Sequence, residues 1–289
     1  MIEFEALKAQ SLDQAVNILA VKGRAAKIVA GGTDLLVGIN KKDKELNEFN
    51  YLLDISSVSG LDIIEENEDH LKLGALCTHS QITGSDLINE KLPILSKAAQ
   101  TIGSTQIRNR GTVGGNINNS SPAADLITPL IALEASVVLH SSSGKRELPL
   151  SEFITGPYQN DRREDEIMTE VKVPYLPTDY YNNYQKVKRR QAVAIARINL
   201  AVLTDIKDNQ FKDIRVAFGS ATPTAIRFSE IENELEGINI NKIDYGSVKD
   251  KTGQEMVDIT GERWSTPYKR PVVGNLLKRA LQEIIKEVQ

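Results

Sequence analysis

The chain has 289 residues, 40 % hydrophobic and 26 % charged, a composition that suits one large or two ordinary globular domains and excludes a mostly disordered chain. Its 35 Lys and Arg against 39 Asp and Glu leave a net charge of −4, so no overall basic excess points to nucleic acid or anionic lipid. A single cysteine, Cys77, makes neither an internal disulfide nor a cysteine-based zinc or iron–sulfur site, so any redox role requires an organic cofactor.

The opening MIEFEALKAQSLDQ carries charges where a secretory signal has its apolar stretch, and no run of about 18 apolar residues follows, so a cytoplasmic protein without a membrane span is expected. Ile2–Ala6 alternates like a short strand. Ser11 to Gln14 has capping-box spacing, Ala15, Val16, Ile18 and Leu19 follow with helical period, and Gly23 supplies the stop. Lys27–Ala30 is a short apolar strand running into Gly31-Gly32. Tyr51–Ile55 reads as another strand, and Leu61–Glu65 with Leu71–Ala75 reads as a hairpin around ENEDH. Pro93–Ile102 has helical spacing.

Thr101 to Ser121 is rich in Gly, Asn and Ser, and reads as a long ordered loop anchored by Ile102, Ile107, Val113 and Ile117. Ser121-Pro122 resembles an N-cap and first helical position. Pro129 then requires the main helix to begin near Asp125, so that the ring sits in or near the first turn. Val137–His140 starts a strand turning at Ser141–Gly144. Pro174-Tyr175-Leu176-Pro177 reads as a linker. Beyond it, Tyr184–Arg190, Ile198–Lys207 and Phe211–Gly219 read as strands, with Asp208-Asn209-Gln210 as a hairpin turn. Thr224–Leu235, Asn241–Lys251 and Pro267–Val288 read as helices. The chain is therefore expected to be α+β throughout, in two domains that divide near residue 174.

Two glycine segments carry the candidate chemistry. Ala30-Gly31-Gly32-Thr33-Asp34 follows a strand, where glycines let the backbone turn and approach a ligand closely, and free N–H groups can meet an anion such as a pyrophosphate. The same pair also serves as a plain structural turn. Neither a Rossmann nor a P-loop pattern applies. Gly111-Thr112-Val113-Gly114-Gly115-Asn116 repeats the paired glycines beside hydroxyl and amide side chains, and together the two loops could grip a diphosphate from both sides. Asp125 is either a helix N-cap or an acceptor for ribose hydroxyls. Cys77 and His140 read as structural residues.

KIVAGGTDLL, QIRNRGTVGGNINNSSPAADL and DEIMTEVKVP resemble the FAD-binding medium subunit of the xanthine dehydrogenase and carbon monoxide dehydrogenase family of molybdenum hydroxylases, over residues 1 to about 285. The resemblance implies a two-subdomain FAD-binding domain at 1–173, of the PCMH type seen in vanillyl-alcohol-oxidase-like proteins. It implies a C-terminal domain at 178–289 built from a small antiparallel sheet and a helical bundle. Matched to the family pattern, Lys27, Ile28, Val29, Ala30, Gly31, Gly32, Thr33 and Asp34 form the first FAD loop, which holds the pyrophosphate. Thr112, Val113, Gly114, Gly115 and Asn116 form the second. Asp125 matches an acidic residue near the adenosine part of FAD, Ile167 an apolar residue at the flavin, and Lys186 a lysine near the isoalloxazine ring, with Lys188 on the same strand face. Read alone, the run Lys186–Arg190 is also a solvated basic strand edge.

The resemblance further implies non-covalent FAD, since neither loop holds a histidine for covalent attachment, and no metal ligand or catalytic residue in this chain. Its implied partners are a large molybdopterin subunit and a small [2Fe–2S] subunit, with electrons passing through FAD to NAD or another acceptor. Two alternatives stand beside it. One is a free-standing FAD reductase resembling UDP-N-acetylenolpyruvoylglucosamine reductase, against which the QIRN stretch argues. The other is a flavin-free scaffold subunit, against which the intact loops argue.

Overall fold

A computed structural model describes residues 4–176, 180–190 and 193–289, and the chain in it builds three lobes. The first comprises β1 (Glu5–Lys8), α1 (Leu12–Lys22), β2 (Ala26–Val29), α2 (Leu35–Lys41) and β3 (Tyr51–Asp54), with the strands in a parallel sheet ordered β1-β3-β2. Ser11 caps α1 by accepting the Gln14 N–H at 3.2 Å, while the Gln14 side chain reaches back to the Gln10 N–H at 2.7 Å. Gly23 ends the helix at φ 51°, a left-handed conformation that glycine adopts without penalty. Ala15, Val16 and Leu19 bury against Leu53 and Ile55, so the helix lies on the sheet.

The second lobe runs through β4 (Ile64–Glu66), β5 (His70–Gly74), α3 (His79–Gly84), α4 (Asp86–Lys91), α5 (Pro93–Gln100), α6 (Thr105–Arg108), α7 (Val113–Asn119), α8 (Ile127–Ala132), β6 (Ser136–Ser141), β7 (Gly144–Pro149), α9 (Leu150–Phe153), β8 (Ile154–Gly156), β9 (Gln159–Asn160) and β10 (Ile167–Pro174). Five of its strands form an antiparallel sheet ordered β4-β5-β10-β6-β7, and its core joins Leu71, Leu73, Leu95, Leu130, Leu139 and Val171. The third lobe is an antiparallel sheet, β11 (Tyr181–Val187), β12 (Ile198–Lys207), β13 (Gln210–Gly219) and β14 (Ile226–Arg227), backed by α10 (Ser229–Leu235), α11 (Tyr245–Thr260) and α12 (Thr266–Val288). Its core is separate and centres on Phe211, Phe218, Phe228, Leu277 and Leu281. The turn between β12 and β13 has Asp208 at φ 52° and Asn209 at φ 56°, a two-residue hairpin geometry that these residue types tolerate.

Several elements differ from the sequence reading for identifiable reasons. The segment 101–121 holds two short helices, because Ser104 and Thr112 each accept an N–H three residues on and so cap a turn that glycine and asparagine would not start unaided. Ser121-Pro122 begins no helix; Ser121 Oγ instead accepts the Ala123 N–H at 3.3 Å in a local turn. The helix read from Thr224 begins at Ser229, because Ile226 and Arg227 pair with Phe218 and Ala217 at the sheet edge. The helix read from Asn241 begins at Tyr245, where the Asp244 carboxylate accepts the N–H groups of Gly246 and Ser247. Pro129 falls at the third position of α8, where its missing N–H breaks no intrahelical bond. The start of the first predicted strand, Ile2 and Glu3, and Pro177 of the linker lie outside the described residues.

Candidate functional site

The first glycine loop leaves β2 and turns into α2, with Gly32 at φ 73°. Gly31 lies so close to the second loop that a Cβ there would sit 2.0 Å from the Arg110 carbonyl oxygen and 3.0 Å from the Gly111 Cα. Glycine is thus required at residue 31 by contact between the two loops. Asn119 Nδ2 donates to Asp34 Oδ2 at 3.4 Å and links them again. Lys27 points its ammonium over the Phe49 ring, 4.9 Å from the centroid.

The second loop is held rigidly from beneath. Val113 N–H donates to the Cys77 carbonyl at 2.9 Å, Gly114 N–H to the Ala75 carbonyl at 2.8 Å and His79 N–H to the Gly111 carbonyl at 3.1 Å. Gly115 N–H donates to Thr112 Oγ1 at 3.1 Å. A Cβ at Gly114 would stand 2.7 Å from Ala75, whereas one at the exposed Gly115 would meet only Thr112 Oγ1, at 2.9 Å. Gly114 is therefore a packing glycine and Gly115 an open one.

These bonds divide the work between the loops. The N–H groups of Val113 to Asn116 are spent inside the protein. Those of Gly31, Gly32, Thr33 and Asp34 have no protein acceptor among the described residues. Asn116 Oδ1 is buried and lacks a hydrogen-bond partner. An anionic group at the junction would find free backbone donors on the first loop and space left by a missing side chain on the second. The polar cradle fits the diphosphate of a dinucleotide.

Asp125 and Lys186 form one buried ion pair, Nζ to Oδ2 at 2.6 Å, with side chains 9 % and 3 % exposed. Lys186 Nζ also donates to the Thr101 carbonyl at 3.0 Å. Tyr184 Oη donates to Asp125 Oδ1 at 2.9 Å, and Asn199 Nδ2 approaches the same oxygen at 3.4 Å. Thr128 Oγ1 in turn donates to Asn199 Oδ1 at 2.7 Å. Burial pushes the Asp125 carboxyl up from the ordinary carboxylate range, opposed by the Lys186 charge and these hydrogen bonds. Burial, then the Asp125 charge, drives the Tyr184 phenol well above its ordinary value. Asp125 is thus not the cap of α8, whose N-cap position is Leu126 with no side-chain hydrogen bond.

The pair changes one sequence expectation. Asp125 and Lys186 are in direct contact, so the structure brings together two residues that the sequence reading set at different parts of the dinucleotide. Ile167, at the start of β10, is 1 % exposed and packs into the core of the first lobe with Leu53 and Leu76. It is not brought together with Asp125 and Lys186. Sequence reasoning missed Tyr184 and Asn199 as partners of Asp125, because strand residues 59 and 74 positions away carry no local signal for it. A cleft of about 550 Å³ between Glu66–Glu68, Leu92–Ile94 and the side of Tyr175, Leu176 and Tyr180 contains none of the predicted site residues.

Fold and loops define a flavoprotein-type oxidoreductase module. Residues 2–176 match the family model for the FAD binding domain in molybdopterin dehydrogenase, and residues 182–284 match the CO dehydrogenase flavoprotein C-terminal domain. The chain is 32 % identical to the glyceraldehyde dehydrogenase medium chain of Sulfolobus acidocaldarius over 98 % of each chain. It is 29 % identical to the xanthine dehydrogenase FAD-binding subunit of Escherichia coli O157:H7, over 96 % of this chain and 94 % of the other. Among solved structures, a chain of carbon monoxide dehydrogenase from Hydrogenophaga pseudoflava superposes with TM-score 0.88 at 30 % identity, covering 97 % of this chain and 96 % of that one. The protein belongs to the FAD-binding subunits of the molybdenum hydroxylase family, and its cofactor is FAD. No helix among the described residues is long and apolar enough to cross a membrane.

Proposed function

We propose that this chain is the electron-transfer subunit of a molybdenum hydroxylase. It would take electrons from [2Fe–2S] clusters on a small partner subunit and deliver them to NAD or another acceptor. A large molybdopterin subunit would carry out the hydroxylation. In this reading residues 1–173 form the FAD-binding domain and residues 178–289 the C-terminal domain. Bound FAD supplies the exchange between one-electron and hydride chemistry. The observation that carries the reading is the meeting of the two glycine loops at Gly31 and Arg110, beside four free N–H donors.

This chain's residues would then act as follows. Gly31 to Asp34 donate backbone hydrogen bonds to the diphosphate, with Lys27 to Ala30 fixing the strand that presents them. Thr112 to Asn116 form the opposite wall, and Gly115 leaves the space. Asp125 and Lys186 face one region of the cofactor together, with Lys186 supplying a cation whose charge Asp125 largely balances. Ile167 acts through the core beneath the site.

Substitution at Gly115 tests the placement. Gly115→Val should keep the fold, apart from a small shift of the Thr112 hydroxyl, and lose the flavin absorption near about 450 nm. Gly31→Ala should lower the melting temperature of the flavin-stripped chain as well, because its Cβ meets backbone at 2.0 Å. Stoichiometric FAD in Gly115→Val would refute the placement. Purification of the native complex should yield molybdenum and iron together with FAD. A partnerless yellow protein would instead favour the free-standing reductase.

A further inference from the structure

Three cross-strand partners form one row over the sheet of the third lobe. Lys186 of β11 lies opposite Asn199 of β12, and Asn199 lies opposite Gly219 of β13. Residues directly opposite one another point to the same face, so the row meets α8 and the segment before it as a unit. The neighbouring row on that face is Tyr184, Ala201 and Ala217, which sets the tyrosine beside two buried alanines.

Asn199 is fully buried, an expensive place for an amide unless its polar atoms are matched. Thr128 Oγ1 on α8, also fully buried, donates to its Oδ1 at 2.7 Å. With Oδ1 so engaged, Nδ2 faces the Ala124 carbonyl and Asp125 Oδ1, each at 3.4 Å. Gly219 makes the room: a Cβ there would stand 2.3 Å from Thr128 Oγ1 and 2.1 Å from Asn199 Oδ1. Asn199 and Tyr184 together hold Asp125 Oδ1, while Oδ2 meets Lys186.

Two apolar residues of the same shape could replace Thr128 and Asn199 with little loss of stability. They could not keep a donor on Asp125. The Asn199 hydrogen bond favours the ionised carboxylate against burial. Without it Asp125 balances Lys186 less well, and a less balanced cation beside a flavin favours the reduced form.

We propose that Thr128 and Asn199 are positioning residues for the flavin's redox chemistry. Their bond, in the space that Gly219 leaves, fixes the Asp125 carboxylate and so sets how much of the Lys186 charge reaches the cofactor. The proposal rests on the reading above in which Lys186 faces the cofactor.

The test is redox titration of the FAD-loaded chain, with urea unfolding of the flavin-stripped chain alongside. Thr128→Val keeps the packing and deletes the donor. It should favour the reduced flavin by about fivefold, the net worth of roughly one hydrogen bond, which raises the two-electron potential by about 20 mV. Gly219→Ala drives a methyl into the same bond and should shift the potential in the same direction. Thr128→Ser keeps the hydroxyl and loses a core methyl, so it should lower the unfolding midpoint yet retain the wild-type potential. Wild-type potentials in Thr128→Val and Gly219→Ala, with that of Lys186→Met shifted, would overturn the positioning role and leave the placement of Lys186 intact. An unchanged potential in Lys186→Met would overturn both. Equal shifts in Thr128→Ser and Thr128→Val would assign the effect to loosened packing and overturn the proposal.

Discussion

Removing one member of the Asp125–Lys186 pair is expected to cost far more than removing both. The pair lies under side chains from both the second and third lobes, almost wholly out of water. A buried charge left without its partner costs about 3–5 kcal/mol, whereas replacing both partners with apolar residues is often neutral. The surroundings rank the two single variants. After Lys186→Met, Asp125 keeps the Tyr184 hydroxyl and the Asn199 amide as donors. After Asp125→Leu, Lys186 keeps only the Thr101 carbonyl, and Tyr184 loses its acceptor. Lys186→Met should therefore cost about 3 kcal/mol and Asp125→Leu about 5, with the double variant recovering at least about 2 kcal/mol of their sum. Urea unfolding of the flavin-stripped chains, followed by far-ultraviolet circular dichroism, reads the shift in midpoint at constant slope. Additive costs, or single variants within about 1 kcal/mol of wild type, would refute the reasoning.

Two further outcomes follow from buried groups beneath the second loop. His79 is 3 % exposed, its Nδ1 has no partner, and burial followed by the Arg108 charge pushes its pKa from 6.5 down to about 4. The neutral imidazole is the folded form, so its stabilisation is complete above pH 6.5 and disappears as pH falls toward 4, a loss of about 3 kcal/mol that His79→Leu should abolish. Unfolding free energies measured across that window should slope upward with pH in the wild type, and an equal slope in the variant would contradict this. Cys77 is fully buried, and burial pushes its thiol up to about 12. Ellman's reagent should label no thiol in the native chain and one after unfolding; rapid native labelling would show that the floor of the second loop opens.

What was legible in the sequence depended on range. The β12–β13 hairpin and α1 carry their signals within a few residues, as Asp208-Asn209 and as Ser11 with Gln14, and both appear where those signals fall. The short helix α7 was illegible because its local Thr112 cap is joined by distant support: Val113 and Gly114 donate to carbonyls of Cys77 and Ala75, nearly forty residues upstream. The same limit applies at the site. Paired glycines announce a close approach, yet only the fold separates Gly31 and Gly114, which backbone contacts demand, from Gly115, where a Cβ would meet one side-chain oxygen, Thr112 Oγ1.

Asp125 shows the limit most clearly. Its place before an apolar run suits a helix cap, but a cap needs its side chain turned to the N–H groups of its own helix. Four groups compete for that carboxylate: the Lys186 ammonium, the Tyr184 hydroxyl, the Asn199 amide and the first turn of α8. The three side chains take it, Lys186 on Oδ2 and Tyr184 with Asn199 on Oδ1, and the backbone N–H groups of α8 lose, since a charged donor in a low-dielectric setting outweighs a neutral one. Tyr184 and Lys186 alternate on one face of β11, so a single strand supplies both. The consequence is functional. A cation fixed by a carboxylate cannot swing freely, so on the proposed placement of Lys186 beside the cofactor Asp125→Leu should also shift the flavin's reduction potential, read by redox titration of the FAD-loaded variant separately from the unfolding of the flavin-stripped chain.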